Sequence, residues 1–369
     1  MPLNHYVTLG NSGLRVSPFC LGAMTFGEDW GWGSSEEDSQ KILKRFIELG
    51  GNFIDTANLY TKGHSEAIIG NFITQKGFRR DQLVIATKFF GSLYQGDPNA
   101  GGSSRKSIYS ALDASLRRLK TDYVDLYWMH CWDVFTPIEE TMSALNDLVK
   151  AGKVRYIGFS DTPAWKTTQA QMIANFRGWS PLIALQIEYS LLERTVEGEL
   201  MPMARELGLG VTPWSPLRFG ILSGKYTREN KDKVDANRGE WVTRALTEHA
   251  YNVIDEVIKL SKKLGKSPAQ IAIAWVQSQP GVTSTIIGAR TIKQLEDNLG
   301  GLDVKLHADH IAALDAVSKP QLNFPADFIA NAGTFRSGGT TINGETSPVN
   351  PLAPESDSER YDRVSVAAR

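Results

Sequence analysis

The sequence predicts an α/β protein that folds as a (β/α)8 TIM barrel, with an N-terminal β-hairpin and an irregular C-terminal tail. Eight short apolar runs follow one another along the chain, and a longer segment of helical period comes after each. The runs are apolar through their middles, as in parallel strands that are covered on both faces. No GxGxxG motif follows the first run, so a doubly wound sheet is the weaker alternative.

The eight predicted strands are joined by helical crossovers, which makes neighbouring strands parallel. Eight such units in one chain close most economically into a barrel. In chain order, the predicted strands span residues 19–24, 53–57, 83–88, 124–130, 154–160, 183–189, 210–214 and 283–288.

Capping residues support the helices that we predict between these strands. Ser34 and Ser35 are followed by acidic residues that suit the start of the first helix, and Gly50 and Gly51 suit its end. Ser267 precedes a proline, a residue that is tolerated at the first helical position. The predicted helices span residues 36–49, 65–75, 105–119, 137–150, 164–176, 201–207, 268–279 and 291–299.

Three segments lie outside this repeat. Residues 9–14 read as a small hairpin placed to plug the bottom of the barrel. Residues 217–240 form a long insertion after the seventh strand, and insertions of that kind are often functional. We expect one barrel domain over residues 1–320, followed over residues 321–369 by a tail rich in Gly, Ser, Thr and Pro that is irregular and partly mobile.

The composition argues against several classes of protein. The chain has 369 residues and a formal net charge of -1, so we expect no nucleic-acid partner. No apolar run reaches 18 residues and the N-terminus lacks a basic start, so we expect no membrane partner and no secretory signal. Two cysteines, without CxxC or HExxH, argue against a disulfide scaffold and a metal site. We therefore expect a cytoplasmic protein, with a monomer as the default and a homo-oligomer as the alternative.

Polar residues end three consecutive predicted strands. Asp55, Lys88 and His130 stand at the ends of the second, third and fourth strands, and Tyr60 lies five positions after Asp55. Barrel enzymes carry their chemistry at these strand ends. A phenol has a pKa of ~10, and a nearby ammonium lowers it, so a lysine held by a carboxylate would make the tyrosine a better acid. With a histidine to orient a carbonyl oxygen, the four side chains suit protonation of that oxygen as it becomes an alkoxide.

Each of these four residues also has an ordinary structural explanation. Asp55 could be a turn or cap residue before a threonine, and Lys88 could be a solvated strand end. His130 could be a hydrogen-bonded interior histidine, and Tyr60 could contribute only aromatic packing. Their occurrence together, at three consecutive strand ends, favours a proton-transfer site.

An ordered set of motifs covers residues 6–319: DTANLY, ATKF, VDLYWMH, GFSD, LQIEYSLLER, VTPWSPL, LSGKY, IIGART and QLEDN. The set resembles that of the aldo-keto reductases, in the branch that includes bacterial and fungal reductases and the potassium channel β subunits. The resemblance implies a single barrel that binds NAD(P)H without a Rossmann fold. It also implies that Tyr60 is the proton donor, that Asp55 and Lys88 tune it, and that His130 orients the carbonyl.

The same resemblance implies a site for NADPH/NADP+. Many relatives carry Asn where this chain has Asp161, and an ionised aspartate only accepts hydrogen bonds, so the usual two-way contact with the carboxamide is altered here. Arg290 supplies a guanidinium suited to a phosphate at a helix N-terminus, so we expect NADPH rather than NADH. The implied cofactor residues are Asp55, Ser160, Asp161, Gln186, Trp214, Ser215, Pro216, Leu217, Gly220, Lys225, Gly288, Arg290, Thr291, Gln294 and Asn298.

Aromatic residues near the predicted barrel mouth suggest an apolar pocket wall. Trp132, next to His130, is the one that we expect in that wall. The aromatic residues concerned are Phe26, Trp30, Trp32, Phe89, Trp132 and Phe219.

Three functions are compatible with these observations. The first is NADPH-dependent reduction of aldehydes or ketones to alcohols, a reversible hydride transfer with a small-molecule carbonyl substrate. The second is a regulatory or channel-associated subunit with weak turnover. The third is a lyase or isomerase that uses the same lysine, against which the implied cofactor residues argue.

Overall fold

In the computed structural model, residues 2–75, 78–230 and 239–360 are described, and eight parallel strands alternate with helices. The first seven barrel strands each pair with the next along the chain, and the eighth pairs with the first, so the sheet curves into a nearly closed barrel, which confirms the predicted fold. A hairpin of β1 (Val7–Thr8) and β2 (Arg15–Val16) precedes it. The barrel strands are β3 (Phe19–Gly22), β4 (Phe53–Asp55), β5 (Val84–Phe89), β6 (Val124–Met129), β7 (Val154–Ser160), β8 (Leu182–Glu188), β9 (Gly210–Trp214) and β10 (Thr285–Gly288).

The helices around the barrel begin where the capping residues indicate. The Ser35 hydroxyl accepts a hydrogen bond from the Asp38 N–H, and Ser267 forms a reciprocal capping box with Gln270. The helices are α1 (Glu36–Glu48), α2 (His64–Ile73), α3 (Arg105–Leu119), α4 (Ile138–Lys150), α5 (Ala164–Arg177), α6 (Leu200–Glu206), α7 (Gly239–Ala245), α8 (Glu248–Leu264), α9 (Pro268–Gln277), α10 (Ile292–Leu299) and α11 (Ala308–Ser318).

Three of these helices, α7, α8 and α11, are absent from the sequence prediction. The prediction assigned one helix to each of the eight strands, and the eight predicted helices were found without these three segments. The signal for α8 was nevertheless present, because Val253, Ile254, Val257 and Leu260 recur at helical spacing and are all buried. Part of the predicted 217–240 insertion, residues 231–238, lies outside the described residues.

The hairpin closes the N-terminal end of the barrel, as predicted. Leu9 and Val16 are fully buried and pack among inward-facing side chains of the strands. The Asn11 N–H donates to the Gly208 carbonyl (2.8 Å), which ties the hairpin turn to the segment before β9. With the bottom closed in this way, the open C-terminal end is the side on which a ligand can enter.

The chain divides into two compact units, Met1–Pro320 and Gln321–Arg369. The second unit contains α12 (Ala326–Asn331), α13 (Gly333–Ser337) and a small antiparallel pair, β11 (Thr341–Ile342) and β12 (Glu345–Thr346). Among the described residues of both units, no helix has the length and apolar character needed to cross a membrane.

Candidate active site

Asp55, Tyr60 and Lys88 meet at the C-terminal end of the barrel. Asp55 ends β4, and Lys88 lies in the adjacent parallel strand β5. The pairing of these two strands brings the two side chains together. The Lys88 ammonium forms a short ion pair with Asp55 and also donates to the Thr56 carbonyl (2.8 Å) and to the Tyr60 hydroxyl (3.1 Å). Lys88 is fully buried and Asp55 is 2% exposed, so this charge pair lies out of bulk water.

Burial and the neighbouring charges act against one another on each pKa at this site. Burial lowers the pKa of Lys88, but Asp55 and Tyr60 raise it more, and the net change is upward. Burial raises the pKa of Tyr60, the Lys88 ammonium lowers it, and the Asp55 carboxylate raises it again, with a net upward change. Lys88 thus acts on the phenol in the direction expected from the sequence, but burial outweighs it, so the pKa of Tyr60 does not fall below its ordinary value. Lys88 offsets part of the effect of burial, and Tyr60 stays protonated at neutral pH.

A strained turn fixes the position of Tyr60. Thr61 and Lys62 adopt left-handed backbone conformations (φ 47° and 59°), which are costly for residues with a Cβ. The buried Thr61 hydroxyl donates to the Phe26 carbonyl (2.7 Å) and accepts from the Ser65 N–H (3.0 Å). These bonds hold the turn, and the turn directs the phenol towards Lys88.

His130 follows β6 and lies beside Tyr60, with the two rings edge to face and 5.7 Å between centroids. Burial and the nearby Lys88 charge lower the pKa of His130 to about 3. The imidazole is therefore neutral at physiological pH and carries a single N–H. Its buried Nδ1 has no hydrogen-bond partner. A neutral imidazole at this place can hydrogen-bond to a ligand without adding a second positive charge beside Lys88.

A cavity of about 1010 Å³ opens above these residues. Two of the predicted residues do not line this cavity. Lys88 lies beneath its floor, and Thr291 caps α10 by accepting a hydrogen bond from the Gln294 N–H (3.2 Å). Every other residue of the predicted tetrad and cofactor set lines the cavity: Asp55, Tyr60, His130, Ser160, Asp161, Gln186, Trp214, Ser215, Pro216, Leu217, Gly220, Lys225, Gly288, Arg290, Gln294 and Asn298.

The end of β7 offers a donor and an acceptor to a planar amide. The buried Ser160 hydroxyl interacts with the neighbouring Asp161 carboxylate and lines the cavity, where it can turn towards a ligand. Asp161 accepts from the Trp214 Nε1–H (3.1 Å) and lines the cavity. The surrounding walls remove water from Asp161 and raise its pKa to about 6, although the bond from Trp214 opposes that shift. Gln186 is already engaged, because its Nε2 donates to the free oxygen of Asp55 (3.0 Å).

The loop after β9 is held in an uncommon conformation. Ser215, Arg218 and Phe219 have positive φ angles (53°, 46° and 55°), and Gly220 follows in the same region. The Ser215 hydroxyl accepts from the Phe219 N–H (3.1 Å), and the Arg218 guanidinium forms a short ion pair with Glu188 at the end of β8. This ion pair, which sequence reasoning missed, anchors the loop. An added Cβ at Gly220 would meet no atom within 4 Å, so the loop leaves open space on that side.

The far end of the cavity is formed by the segment between β10 and α10. The Asn298 amide donates to the Gly288 carbonyl (3.0 Å), and Gln294 accepts from the Arg290 N–H (2.9 Å). Arg290 lines the cavity, and its guanidinium forms no salt bridge with any described residue. A cation beside a helix N-terminus is a suitable place for a phosphate group.

The aromatic wall differs from the prediction. Trp132 is not among the residues that line the cavity, so the prediction that it belongs to the pocket wall is wrong. Its ring packs edge to face on Trp165, with 5.4 Å between centroids. Phe26 and Phe89 are fully buried in the core. Of the predicted aromatic residues, Trp30, Trp32 and Phe219 line the cavity, and the sequence alone does not distinguish the two tryptophans from the others.

The comparisons with known proteins agree with this geometry. A model of the aldo/keto reductase family matches residues 18–319. The chain belongs to the aldo/keto reductase family. An uncharacterized oxidoreductase, YrpG, of Bacillus subtilis (strain 168) is 39% identical to this aldo/keto reductase over 85% of the chain and 95% of the relative. An aryl-alcohol dehydrogenase of Pestalotiopsis microspora is 34% identical, with 90% and 86% covered.

A third relative bears on the alternative function. A probable voltage-gated potassium channel subunit beta of Oryza sativa subsp. japonica is 38% identical over 86% of the chain and 98% of the relative. The family assignment and the oxidoreductase relatives together make this chain an oxidoreductase. In the described ranges, no group of three or more His, Cys, Asp or Glu side chains is arranged to hold a metal ion.

Proposed function

We propose that this aldo/keto reductase reduces aldehydes and ketones to alcohols with NADPH, reversibly, and that Tyr60 donates the proton. The observation that carries the proposal is the contact between the Tyr60 hydroxyl and the buried Lys88 ammonium (3.1 Å) at the floor of the large cavity. A protonated phenol next to a fixed cation is arranged to release its proton to a developing alkoxide.

The cavity residues fit a nicotinamide dinucleotide. When bound, NADPH supplies the hydride that adds to the carbonyl carbon. The Ser160 hydroxyl would donate to the carboxamide oxygen, and Asp161 would accept from its NH2 group. Trp214 would offer its ring face to the nicotinamide. Arg290 would bind the phosphate on the adenosine ribose, which is the reason to expect NADPH over NADH.

The protein's own residues handle the proton. The carbonyl oxygen of the substrate accepts hydrogen bonds from Tyr60 and the neutral His130, which polarise and orient it. As negative charge develops on that oxygen, Tyr60 transfers its proton and becomes a phenolate. Lys88 stabilises the phenolate, and Asp55 keeps Lys88 charged and in place. Over one turnover, carbonyl, NADPH and a proton give alcohol and NADP+.

Oxidation of NADPH in the presence of a panel of aldehydes, ketones and sugar-like carbonyls tests the proposal, with the alcohols and NADP+ as the reverse reaction. We expect substrate-dependent loss of NADPH absorbance and tighter binding of NADPH than of NADH. If titration detects no NADPH binding at micromolar concentrations, the reductase assignment is wrong and a cofactor-independent reaction takes its place.

The similarity to the rice channel subunit favours a second candidate, a regulatory subunit with weak turnover. The two candidates predict different kinetics with the same residues. A metabolic reductase turns over many times with excess NADPH and substrate. A regulatory subunit oxidises one equivalent of bound NADPH and then releases product slowly, so single-turnover and steady-state rates separate the two.

A further inference from the structure

Asp161 directly follows β7, but it does not cap the helix that comes next. Pro163 precedes α5, and no described side chain caps that helix. The Asp161 backbone is left-handed (φ 43°), and its N–H donates to the Gln186 carbonyl (3.2 Å). The Thr162 hydroxyl donates to the Ser160 carbonyl (2.9 Å). These contacts fix the turn in which Asp161 lies, and they leave its carboxylate free for a role other than helix capping.

Among the described residues, the hydrogen-bond partners of the Asp161 carboxylate are uncharged. It accepts from the Trp214 Nε1–H (3.1 Å) and interacts with the hydroxyl of the neighbouring Ser160. Asp161 is exposed and lines the cavity, so a ligand can reach it. The surrounding protein atoms nevertheless restrict its contact with water and raise its pKa to about 6. The side chain therefore changes from a neutral acid to an anion close to that pH.

The charged residues around Asp161 are already paired with one another. Lys88 forms an ion pair with Asp55, and Arg218 forms an ion pair with Glu188. Each pair is close to neutral as a whole. Burial raises the pKa of Asp161 by more than the Lys88 charge lowers it. When Asp161 ionises, it therefore adds a net negative charge to this end of the cavity.

The other titratable groups near Asp161 differ from it in pKa. Burial raises the pKa values of Tyr60 and Cys131, and the Asp161 charge raises both further, so these two groups stay protonated at neutral pH. Burial lowers the pKa of His130 to about 3. Glu188 is also an acid, and burial raises its pKa as well. Between pH 5 and pH 8, Asp161 and Glu188 are therefore the two groups that an experiment must separate.

The proposed reaction brings the nicotinamide ring close to Asp161. The hydride is added to the carbon whose oxygen is bonded to Tyr60, so the ring that supplies it lies beside Tyr60. Asp161 acts electrostatically on Tyr60 and is hydrogen-bonded to Trp214, and all three residues line the cavity. The ring carries a positive charge in NADP+ and none in NADPH, whereas the rest of the cofactor is the same. A nearby carboxylate stabilises the charged ring, and a neutral side chain does not.

We infer that Asp161 discriminates between the two oxidation states of the cofactor, and that its carboxylate favours NADP+ over NADPH as the pH rises. The inference rests on the proposed reductase function and extends it. A bound cofactor whose oxidised form is stabilised gives up its hydride more readily, so the ionised Asp161 promotes carbonyl reduction. At low pH the protonated Asp161 is neutral, as an asparagine is, and the preference is lost. The linkage is reciprocal, so NADP+ binding lowers the pKa of Asp161 and releases a proton.

Calorimetric titration with NADP+ and with NADPH at pH 5 and pH 8 tests the inference. For the wild-type protein, we expect the ratio of the dissociation constant for NADPH to that for NADP+ to rise roughly tenfold over this range, because an opposite charge shifts a carboxyl pKa by about one unit or more. The phosphate groups are common to both cofactors, so their titration cancels in the ratio. In Asp161→Asn, the ratio is expected to change by less than about twofold.

Two further variants serve as controls. Asp297→Asn makes the same substitution at the far end of the cavity, where Asp297 accepts from Ser267 and Gln270. Glu188→Gln removes the other acid near Asp161. Both variants are expected to keep the roughly tenfold pH dependence of the ratio. If the pH dependence is lost in Glu188→Gln and kept in Asp161→Asn, Glu188 is the responsible group and the inference is wrong.

A measurement on the wild-type protein does not depend on the folding of any variant. At pH 6, in two buffers that differ in ionisation enthalpy, NADP+ binding is expected to release about half a proton more than NADPH binding. Equal proton release for the two cofactors, or a ratio that does not change with pH, overturns the inference and leaves the reductase proposal intact. If neither cofactor binds, the proposed reaction is wrong and the inference falls with it.

Discussion

Replacement of Lys88 by methionine is expected to move the pH dependence of alcohol oxidation to higher pH. In that direction of the reaction, Tyr60 must be a phenolate to accept the proton, so activity rises as Tyr60 ionises. Lys88 lowers the pKa of Tyr60 against burial, and its removal lets that pKa rise. The ascending limb of kcat/KM against pH therefore moves upward.

The geometry sets the size of the shift. Two unit charges 3.1 Å apart, the distance from Lys88 Nζ to the Tyr60 oxygen, interact by roughly 5 kcal/mol at an effective dielectric constant of about 20. Asp55 contacts the same ammonium and offsets much of this interaction. A cation at hydrogen-bond distance changes a pKa by roughly one to three units, and we expect the limb to move by a similar amount.

Removal of Lys88 alone leaves the buried Asp55 carboxylate without its counter-charge, which by itself costs stability. The matched control is therefore the double variant Asp55→Asn, Lys88→Met, which removes both charges. Because Asp55 raises the pKa of Tyr60, the limb is expected at lowest pH in Asp55→Asn, then in wild type, then in the double variant and highest in Lys88→Met. The assay is NADP+-dependent oxidation of benzyl alcohol from pH 6 to 11. If the ascending limb of kcat/KM lies at the same pH in all four proteins, Lys88 does not control the ionisation of Tyr60.

Two further predictions concern the cofactor site. Arg290→Ala is expected to raise the KM for NADPH by roughly 10- to 100-fold, the loss of a charge-assisted bond, and to leave the KM for NADH nearly unchanged. Equal effects on both cofactors would show that Arg290 does not bind the ribose phosphate. The pKa of Asp161 in the folded protein is raised from 3.8 to about 6, so the fold loses stability as the pH rises through the range between these values, and the loss is complete above it. Asp161→Asn is therefore expected to raise the melting temperature more at pH 8 than at pH 5, and an equal change at both values would contradict the shift.

The barrel could be predicted because its signals are local. Helix α3 and strands β7 and β9 begin and end where the sequence indicates, since apolar period and capping residues determine both. Helices α8 and α11 were missed although α8 has a clear apolar stripe, because one helix per strand already completed the repeat. A count of repeats says nothing about helices added between them.

The sequence predicts which residues lie at the site, but it does not predict the net change in the pKa of Tyr60. Strand ends converge in a barrel, so Asp55, Lys88 and His130 could be placed together from sequence alone. The net direction of the Tyr60 pKa could not, because it depends on how completely the fold removes water from the phenol. Trp132 and Trp30 both lie on loops that follow barrel strands. Only tertiary contacts turn Trp132 towards Trp165 and Trp30 towards Tyr60.

The proton-donor role of Tyr60 is tested most directly by single-turnover reduction of benzaldehyde with bound NADPH in Tyr60→Phe. Phenylalanine keeps the ring that meets Trp30 and His130 and removes only the hydroxyl. We expect the rate to fall by ~10²- to 10⁴-fold, the usual contribution of general acid catalysis, while the dissociation constant for NADPH stays within about twofold of wild type. A rate within about threefold of wild type, at unchanged NADPH affinity, would contradict the assignment of Tyr60 as the proton donor.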